Sequence, residues 1–299
     1  MENNSHDMVK RIQTKMPEMS KGQKRIANYI INHYEKAAFM TAAKLGEMVG
    51  VSESTVVRFA IELGYEGYPK LQKVLQELIK SKLTSVQRIE VSSNRISEDN
   101  VLKSVLQLDM EKIKLTMEEI EQESFNEIVE CILNAKKIYI LGVRSSAPLA
   151  SFLGFYFNLI FDNVRLVHTT SVSEMFEQIL RASEGDVVIG ISFPRYSKRT
   201  TKAMQFVKSQ GATVIAITDN RESPLANNAN HCITARSDMA SFVDSLVAPL
   251  SVINALIVAI GMRKKESVYN TFEKLETIWD EYQVYEKYDI IEPHRKVDY

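Results

Sequence analysis

The stretch AAKLGEMVGVSESTVVRF, residues Ala42 to Phe59, predicts two short helices joined by a tight turn. Gly46 is a small residue at the point where the first helix has to pass close to the second. Gly50, four residues later, can adopt the positive φ that such a bend requires. Ser52 is a candidate N-cap for the second helix. Three apolar residues are placed to be buried against the first helix: Val51, Val56 and Phe59.

The outward face of the second predicted helix is polar and carries a cation. It consists of Ser52, Glu53, Ser54, Thr55 and Arg58. A helix with such a face fits the DNA major groove, where its N-terminal residues reach base edges. Lys24 and Arg25 on a preceding helix are candidate phosphate contacts. An ordinary helical hairpin is the alternative interpretation, because capped helices and glycine bends are common, but the combination favours DNA binding.

The residues around this stretch predict an all-α domain over residues 1–83. The pattern is helical over residues 20–83, and Ser20 is placed to cap a helix upstream of the turn. Residues 1–85 hold 13 Lys+Arg against 9 Asp+Glu, a net charge of +4, whereas the remainder holds 24 against 29, a net charge of -5. A basic head on an acidic body is weak support for nucleic-acid contact. Residues 84–97 are polar and serine-rich, which predicts a linker.

Residues 98–290 are predicted to form an α/β domain. The pattern is helical from Glu98 to Ala135, and the candidate inward positions there are Val101, Val105, Leu108, Ile113 and Met117. Five β-branched runs follow, separated by polar or helical segments: KKIYILGV, VRLVHT, DVVIGISF, TVIAITD and HCITAR. Apolar strands that alternate with helices predict a parallel sheet covered on both faces.

Several features exclude other classes of protein. The stretch FVDSLVAPLSVINALIVAIGM, residues 242–262, is long and apolar enough to suggest a membrane span. Asp244 and Pro249 interrupt it, so we predict a helix packed in a core and no membrane partner. Cys131 and Cys232 lie far apart and lack metal-ligand spacing, which predicts reduced thiols, no metal and no cofactor. The polar N-terminus predicts no signal peptide and a cytoplasmic location.

Three parts of the chain together resemble a known family. KGQKRIANYI, VGVSESTVVRFAIELGYEGYPKLQ and the α/β half are similar to the RpiR/MurR family of bacterial transcription regulators, over about residues 8–265. Members join an N-terminal helix-turn-helix to a C-terminal sugar isomerase (SIS) domain. The resemblance implies a flavodoxin-like SIS domain with a five-stranded parallel sheet between helices. It also implies a DNA operator, a phosphorylated sugar as effector, and a homo-oligomer, dimer or tetramer.

Two loops after apolar strands carry the candidate ligand-binding residues. They are LGVRSSAPLA and SFPRYSKRT, which follow the first and third strands. Ligands of open α/β sheets bind beyond the carboxyl ends of strands, and a helix N-terminus favours anions. Hydroxyl and guanidinium groups suit a phosphosugar. The residues are Arg144, Ser145, Ser146, Ser192, Arg195, Tyr196, Ser197 and Thr200, with Asp219 and Ser223 as weaker candidates. Helix capping and structural ion pairs are the alternative roles.

Both loops depart from the pattern that the resemblance implies. Many family members carry Gly-x-Gly-x-Ser in the first loop, and Arg144 stands where the second glycine would be. A serine-glycine turn is common in the second loop, and Pro194 and Arg195 replace it. These changes leave the identity of the sugar open.

The competing hypothesis is an aldose–ketose phosphate isomerase, which needs a positioned acid or base. His168, His231, Glu174 and Glu177 form no recognisable catalytic constellation in the sequence. The fused helix-turn-helix favours a sensor, so we predict a regulator of carbohydrate metabolism genes with no catalytic residues.

Overall fold

The computed structural model describes residues 4–79, 88, 100–169, 171–237 and 243–286. The predicted linker, residues 84–97, therefore lies outside the described residues apart from Arg88.

The N-terminal region is helical, as the sequence predicts from residue 20 onward, and it has a further α-helix before that point. Its helices are α1 (Asn4–Lys15), α2 (Lys21–Ala37), α3 (Ala42–Val49), α4 (Glu53–Glu62) and α5 (Tyr68–Ile79). Buried apolar side chains from all five helices form a core of their own, which includes Ile12, Ile30, Leu45, Phe59 and Leu71.

Helix α5 closes this core and supplies hydrogen bonds to the chain between α2 and α3. The buried Tyr68 hydroxyl donates to the carbonyl oxygens of Met40 (3.0 Å) and Ala37 (3.2 Å). Gln72 Nε2 also donates to Met40 O, at 2.8 Å. Burial raises the pKa of Tyr68 well above its usual value. These hydrogen bonds attach α5 to the end of α2 and to the connection that follows it.

The predicted helix-turn-helix is present, and both glycines have the roles that the sequence assigned to them. Gly50 ends α3 with φ 69°. A Cβ on Gly46 would lie 2.7 Å from the carbonyl oxygen of Val51, so the two helices approach too closely for a larger residue. Val56 and Phe59 are fully buried, whereas Val51 is half-buried.

The C-terminal region is an α/β domain with the five predicted strands. The strands are β1 (Ile138–Gly142), β2 (Val164–Val167), β3 (Val187–Ile191), β4 (Thr213–Thr218) and β5 (His231–Thr234). They are all parallel, in the order β2-β1-β3-β4-β5. The helices are α6 (Val101–Glu119), α7 (Gln122–Leu133), α8 (Ala147–Ile160), α9 (Val172–Ile179), α10 (Lys198–Ser209), α11 (Val247–Arg263) and α12 (Lys265–Glu281).

Helices cover both faces of the sheet, because side chains alternate between faces along each strand. Ile138, Ile140 and Ile189 share one core with residues of α7, α8 and α11. Tyr139, Leu141 and Val188 share the other core with residues of α9 and α10. Strands β1 and β3 are buried along their whole length, which explains their continuous apolar sequence.

Helix α11 accounts for the apolar segment that could suggest a membrane span. Its residues Val252, Ile253, Leu256 and Ile260 are buried in the core on one face of the sheet. Among the described residues, no single helix is both long and apolar enough to cross a membrane. Helices α11 and α12 meet that criterion only as a pair, and they are bent by 98° to one another.

Helix α6 differs from the sequence-based expectation. Three of the five predicted inward positions, Val101, Ile113 and Met117, are exposed. The helix instead buries polar residues, among them Lys112, whose Nζ lies 3.6 Å from Asp109 Oδ1. Periodicity alone located the helix but did not identify the face that packs against the body. We call its exposed apolar face the α6 stripe: Leu102, Leu106, Met110 and Met117.

Candidate DNA-binding helix and ligand-binding loops

The N-terminal end of α4 is exposed, as a base-reading helix requires. Ser52, Glu53 and Ser54 are exposed and Thr55 is half-buried. Ser52 occupies the N-cap, as predicted, but its hydroxyl bonds the hydroxyls of Ser54 (2.9 Å) and Thr55 (2.8 Å) rather than a backbone N–H group. Three hydroxyls therefore form one linked polar group at the end of the helix.

Arg58 lies one turn further along α4, on the same exposed surface. Its Nε donates to the carbonyl oxygen of Ser54 at 3.3 Å. The guanidinium is thus held close to the helix, near the predicted base-reading residues. The other predicted DNA contacts, Lys24 and Arg25, are exposed on α2.

Arg25 has a position that the sequence did not reveal. Its Nη1 lies 3.2 Å from the point that a Cβ on Gly50 would occupy. The guanidinium of α2 therefore reaches the turn between α3 and α4. No local sequence pattern predicts this contact, because Arg25 and Gly50 are 25 residues apart in the sequence.

The two candidate ligand loops are neighbours. Strands β1 and β3 are paired along their length, and Gly142 is in register with Ile191. Both loops leave from this last pair at the carboxyl edge of the sheet, at the point where the strand order reverses direction. This is the position where α/β sheets of this order bind ligands.

The first loop folds back tightly over the end of β1. A Cβ on Gly142 would lie 2.6 Å from the carbonyl oxygen of Ser146 and 3.0 Å from Cβ of Ala150. Ser146 is buried, whereas Arg144 and Ser145 are exposed. Of the three predicted ligand residues in this loop, Arg144 and Ser145 are thus accessible to a ligand.

Two serines of the second loop form hydrogen bonds that cap the start of α10. Ser192 Oγ accepts from the N–H of Ser197 at 3.1 Å, and Ser197 Oγ accepts from the N–H of Thr200 at 3.3 Å. A serine hydroxyl has one donor hydrogen in addition to its acceptor capacity. Because both oxygens accept backbone N–H groups, each hydroxyl keeps its hydrogen as a donor. Ser197 is half-buried, whereas Ser192 is buried.

Thr200 lies within this capping turn and is fully buried. Its Oγ1 is a buried oxygen with no hydrogen-bond partner among the described residues. Such groups are rare in folded proteins and call for a specific explanation.

Tyr196 is held by residues that follow β4. Its hydroxyl donates to Asp219 Oδ1 at 2.8 Å and accepts from Asn220 Nδ2 at 3.2 Å. The phenol is therefore occupied, which leaves the ring face as the part of Tyr196 that a ligand can contact. Asp219 positions Tyr196, and Ser223, the other weaker candidate, caps a short turn by accepting from the N–H of Ala226.

Both loops contain an arginine in the left-handed backbone region. Arg144 has φ 56° and Arg195 has φ 65°. Among the described residues only one other non-glycine residue, Gln283, has a positive φ. This conformation costs about 1–3 kcal/mol for a non-glycine residue, and such strain concentrates at functional sites.

Of the four candidate acid–base residues of the competing hypothesis, His231 lies apart from the other three, which lie between the end of β2 and α9. His231 begins β5 at the amino edge of the sheet, the edge opposite both loops. Glu174 accepts a short hydrogen bond from Thr169. His168 follows β2 and is exposed, and Glu177 lies on α9.

Two family models match the chain. A helix-turn-helix domain of the rpiR family matches residues 6–82, and a SIS domain matches residues 131–259. The first range contains α2 to α5 and most of α1, and the second contains the whole parallel sheet.

Relatives match over most of the chain. The HTH-type transcriptional regulator HexR of Escherichia coli is 26% identical over 267 residues, which cover 86% of this chain and 89% of that protein. The sugar isomerase domain of an RpiR transcription factor from Sphaerobacter thermophilus has a TM-score of 0.55 at 24% identity, over 58% of this chain and 96% of that one. The Vibrio vulnificus NanR protein complexed with ManNAc-6P has a TM-score of 0.53 at 21% identity, over 91% and 98% of the two chains.

Proposed function

Because the chain belongs to the rpiR family of helix-turn-helix transcription regulators, we propose that it binds an operator DNA and that a phosphorylated sugar held by its SIS domain controls this binding. The observation that carries the proposal is the presence of both domains in one chain. One chain therefore connects an exposed helix end that can read DNA to a site at the carboxyl edge of the sheet that suits an anion.

The DNA-binding part of the proposal assigns base contacts to the N-terminal half of α4. The linked hydroxyls of Ser52, Ser54 and Thr55, with Glu53, lie where a major-groove helix meets base edges. Arg58 reads a base or an adjacent phosphate. Lys24 and Arg25 contact phosphates, and the position of Arg25 beside Gly50 supports this role.

The ligand part of the proposal places the phosphate at the start of α10. A helix N-terminus attracts anions through its free N–H groups and its dipole. Ser192 and Ser197 supply hydroxyl hydrogens there, and Ser145 approaches from the adjacent loop. The Tyr196 ring covers the sugar, and Arg144 binds a part of the ligand away from this turn. The ManNAc-6P bound to NanR supports a phosphorylated sugar as the ligand class.

We also propose that the working form is a homo-oligomer, with a second copy covering the α6 stripe. Leu102, Met110 and Met117 are 75%, 69% and 71% exposed, and they recur on one face of one helix. A row of large apolar side chains in water marks an interaction surface. Two-fold symmetry would present two α4 helices to two half-sites about 34–36 Å, or a multiple, apart. Operator binding places such a protein in the bacterial cytoplasm.

An isomerase remains the second candidate function, and it is less favoured. Proton transfer needs a base within hydrogen-bond reach of the substrate. His231 lies at the opposite edge of the sheet, and the named relative HexR is a regulator. Incubation of the protein with sugar phosphates, followed by product analysis, tests this alternative: turnover that Arg144→Gly abolishes would support an enzyme.

The experiment that tests the proposal begins with selection of bound sequences from a random DNA library and footprinting of the winner. We expect protection of a two-fold symmetric site, with affinity that falls with salt at a log–log slope of about -0.9 per phosphate neutralised. A phosphorylated sugar, and not its unphosphorylated parent, should change the affinity by roughly 5–150-fold. Failure to enrich any sequence, with and without a sugar-phosphate panel, would contradict the proposal.

Two substitutions separate base reading from phosphate contact. Arg58→Ala should weaken specific DNA more than random DNA, by about 1–3 kcal/mol if the guanidinium pairs with a guanine. Lys24→Ala should weaken both DNAs alike. Equal losses on both DNAs for both variants would show that the roles are wrongly assigned.

The effector response is tested in the second loop. Arg195→Ala combined with Ser197→Gly should abolish the response to sugar phosphate and leave ligand-free operator binding nearly intact. Glycine is used at Ser197 because it preserves an N-cap to within a few tenths of a kcal/mol. A full response in this variant would place the pocket elsewhere.

A further inference from the structure

Each of the two loops contains an arginine in a backbone conformation that residues other than glycine avoid. Arg144 and Arg195 adopt φ 56° and 65°, a region that glycine enters freely and other residues avoid. The two positions lie in neighbouring loops that leave the sheet from the paired residues Gly142 and Ile191. A guanidinium is therefore held on each side of the carboxyl edge between β1 and β3.

Cationic side chains surround these two loops. Arg144, Arg195, Lys198 and Arg199 are all exposed there, and the last two occupy the first turn of α10. That turn contains no acidic residue, although a helix N-terminus normally favours acids. The acidic residue Asp219, whose carboxylate accepts a hydrogen bond from the Tyr196 hydroxyl, also lies at this edge of the sheet. Arg195 and Arg199 have other contacts within the protein, and Arg144 and Lys198 add two exposed cations to the helix dipole at this edge.

The polar groups at the α10 turn already account for one phosphate. Ser192 and Ser197 each have a hydroxyl hydrogen to donate, since their oxygens accept N–H groups at 3.1 and 3.3 Å. Thr200 Oγ1, fully buried in the same turn, has no hydrogen-bond partner among the residues that the structure describes. This unmet polar group, independent of the charges, points to an occupant of the turn. Arg144, on the other loop, is then left for a different part of the ligand.

We infer that the effector carries two anionic groups: a phosphate at the α10 turn and a second anion, a carboxylate or another phosphate, bound by Arg144. The inference rests on the proposed function, whose ligand it narrows from phosphorylated sugars to doubly anionic ones. Arginine suits this task because its planar guanidinium binds carboxylate and phosphate through two parallel hydrogen bonds.

The test compares matched pairs of probes on the purified full chain by calorimetry. Glucose 6-phosphate is paired with 6-phosphogluconate, and fructose 6-phosphate with fructose 1,6-bisphosphate, so that each pair differs by one anionic group. We expect the doubly anionic member of at least one pair to bind at least tenfold more tightly, and the pair that shows it identifies carboxylate or phosphate as the second anion. Tenfold corresponds to about 1.4 kcal/mol.

The matched variants are Arg144→Gly and Lys202→Ala. Glycine preserves the left-handed backbone at position 144 and removes only the side chain, and circular dichroism verifies the fold. Arg144→Gly should abolish the preference and change monophosphate affinity less than threefold. Lys202 is exposed further along α10, so Lys202→Ala, which removes the same charge, should keep the preference.

The outcomes distinguish this inference from the proposed function. Equal affinity within both pairs, or a preference that Arg144→Gly leaves intact, overturns the inference and leaves a phosphosugar-controlled regulator standing. Absence of binding by all four probes at 10 mM contradicts both. Binding of all four that Lys202→Ala weakens as much as Arg144→Gly shows general charge attraction and also overturns the inference.

Discussion

At the scale of single residues, the sites are defined by side chains whose local chemistry is unusual for their positions. Arg144 and Arg195 adopt a backbone conformation suited to glycine, and Thr200 buries a hydroxyl without a partner among the described residues. Tyr196, in contrast, is fully engaged through its hydroxyl by Asp219. Arg144 and Arg195 combine a conformational cost with exposed charge, and Thr200 has unused hydrogen-bonding capacity, which supports the proposed ligand site.

Arg144→Gly should increase the stability of the ligand-free protein. Relief of about 1–2 kcal/mol of left-handed strain exceeds the roughly 0.5–1 kcal/mol by which glycine's freedom favours the unfolded chain. We expect the free energy of unfolding to rise by about 0.5–1 kcal/mol in urea titrations. Lys202→Gly, in the regular interior of α10, should lower it by about 1 kcal/mol. Losses of equal size in both variants would contradict the strain argument.

At the scale of secondary structure, close approaches between elements fix the orientation of the functional helices. Gly46 lets α3 contact the chain leading into α4, and Gly142 lets the first loop fold over β1. The orientation of α4 therefore depends on the absence of one methyl group in α3. Helix α5 adds to this by binding the carbonyls between α2 and α3 through Tyr68, Gln72 and Gln76.

Gly46→Ala and Gly261→Ala should have opposite effects although both place alanine inside a helix. Alanine gains about 1 kcal/mol of helix propensity at either position. At Gly46 its Cβ would lie 2.7 Å from Val51 O, so α4 must shift, at a cost of about 1–3 kcal/mol. A Cβ at Gly261 would meet no atom within 4 Å other than those of its own turn of helix. Hydrogen exchange should show faster opening of α3 and α4 in Gly46→Ala and slower opening of α11 in Gly261→Ala. Operator affinity should fall only in Gly46→Ala, and protection that rises in both variants would refute the close-approach argument.

At the scale of the whole molecule, a polar cluster joins the segment between the two domains to the body. Arg88, from the predicted linker, is 2% exposed, and its Nη1 lies 2.6 Å from Asp244 Oδ1. The adjacent Ser245 donates to Asp109 of α6 at 2.6 Å. Residues 235–237 and 243–246 lie between β5 and α11, on the same side of the sheet as the ligand loops. Arg88, α6 and this connection are thus in contact.

Asp244→Ala should destabilise the body strongly. The substitution removes the carboxylate that pairs with the buried Arg88 guanidinium. Removal of one partner of a buried ion pair lowers the free energy of unfolding by about 3–5 kcal/mol. Arg88→Met combined with Asp244→Ala should recover most of this loss, because the buried charge is removed as well. Urea unfolding of the two single variants and the double variant gives the coupling energy. Additive losses would show that the contact contributes little.

Leu106→Glu should dissociate the oligomer. The residue lies within the α6 stripe, and a charge there would be buried without a partner if a second copy covers the stripe. Light scattering should show a smaller species, and operator affinity should fall because the two α4 helices become independent. Gln107→Glu introduces the same residue on the same helix outside the stripe and should leave the mass unchanged. An unchanged mass for Leu106→Glu would exclude the stripe as the interface.

The sequence by itself determined the order and type of the elements, and the two loops that could hold an anion. Glycines at 46 and 50, the cap at Ser52 and the alternation of strands with helices are local signals, and local sterics and hydrogen bonding decide such features. The predicted family and the sensor function followed from the same strings. Pairing of β1 with β3 was expected from the family resemblance alone, since nothing local specifies it.

Only the tertiary structure decided which faces are buried and which side chains meet. Periodicity assigned Val101, Ile113 and Met117 to the interior, but these side chains are exposed. Helix α6 instead buries Lys112, which pairs with Asp109 one turn away. It also buries Thr116, which accepts a hydrogen bond from the N–H of Arg236, just after β5. The approach of Arg25 to Gly50, the tether from Tyr196 to Asp219 and the left-handed backbone at Arg144 likewise depend on residues distant in sequence. Burial is a property of the assembled chain, so a pattern of residue types can locate a helix without determining what it packs against.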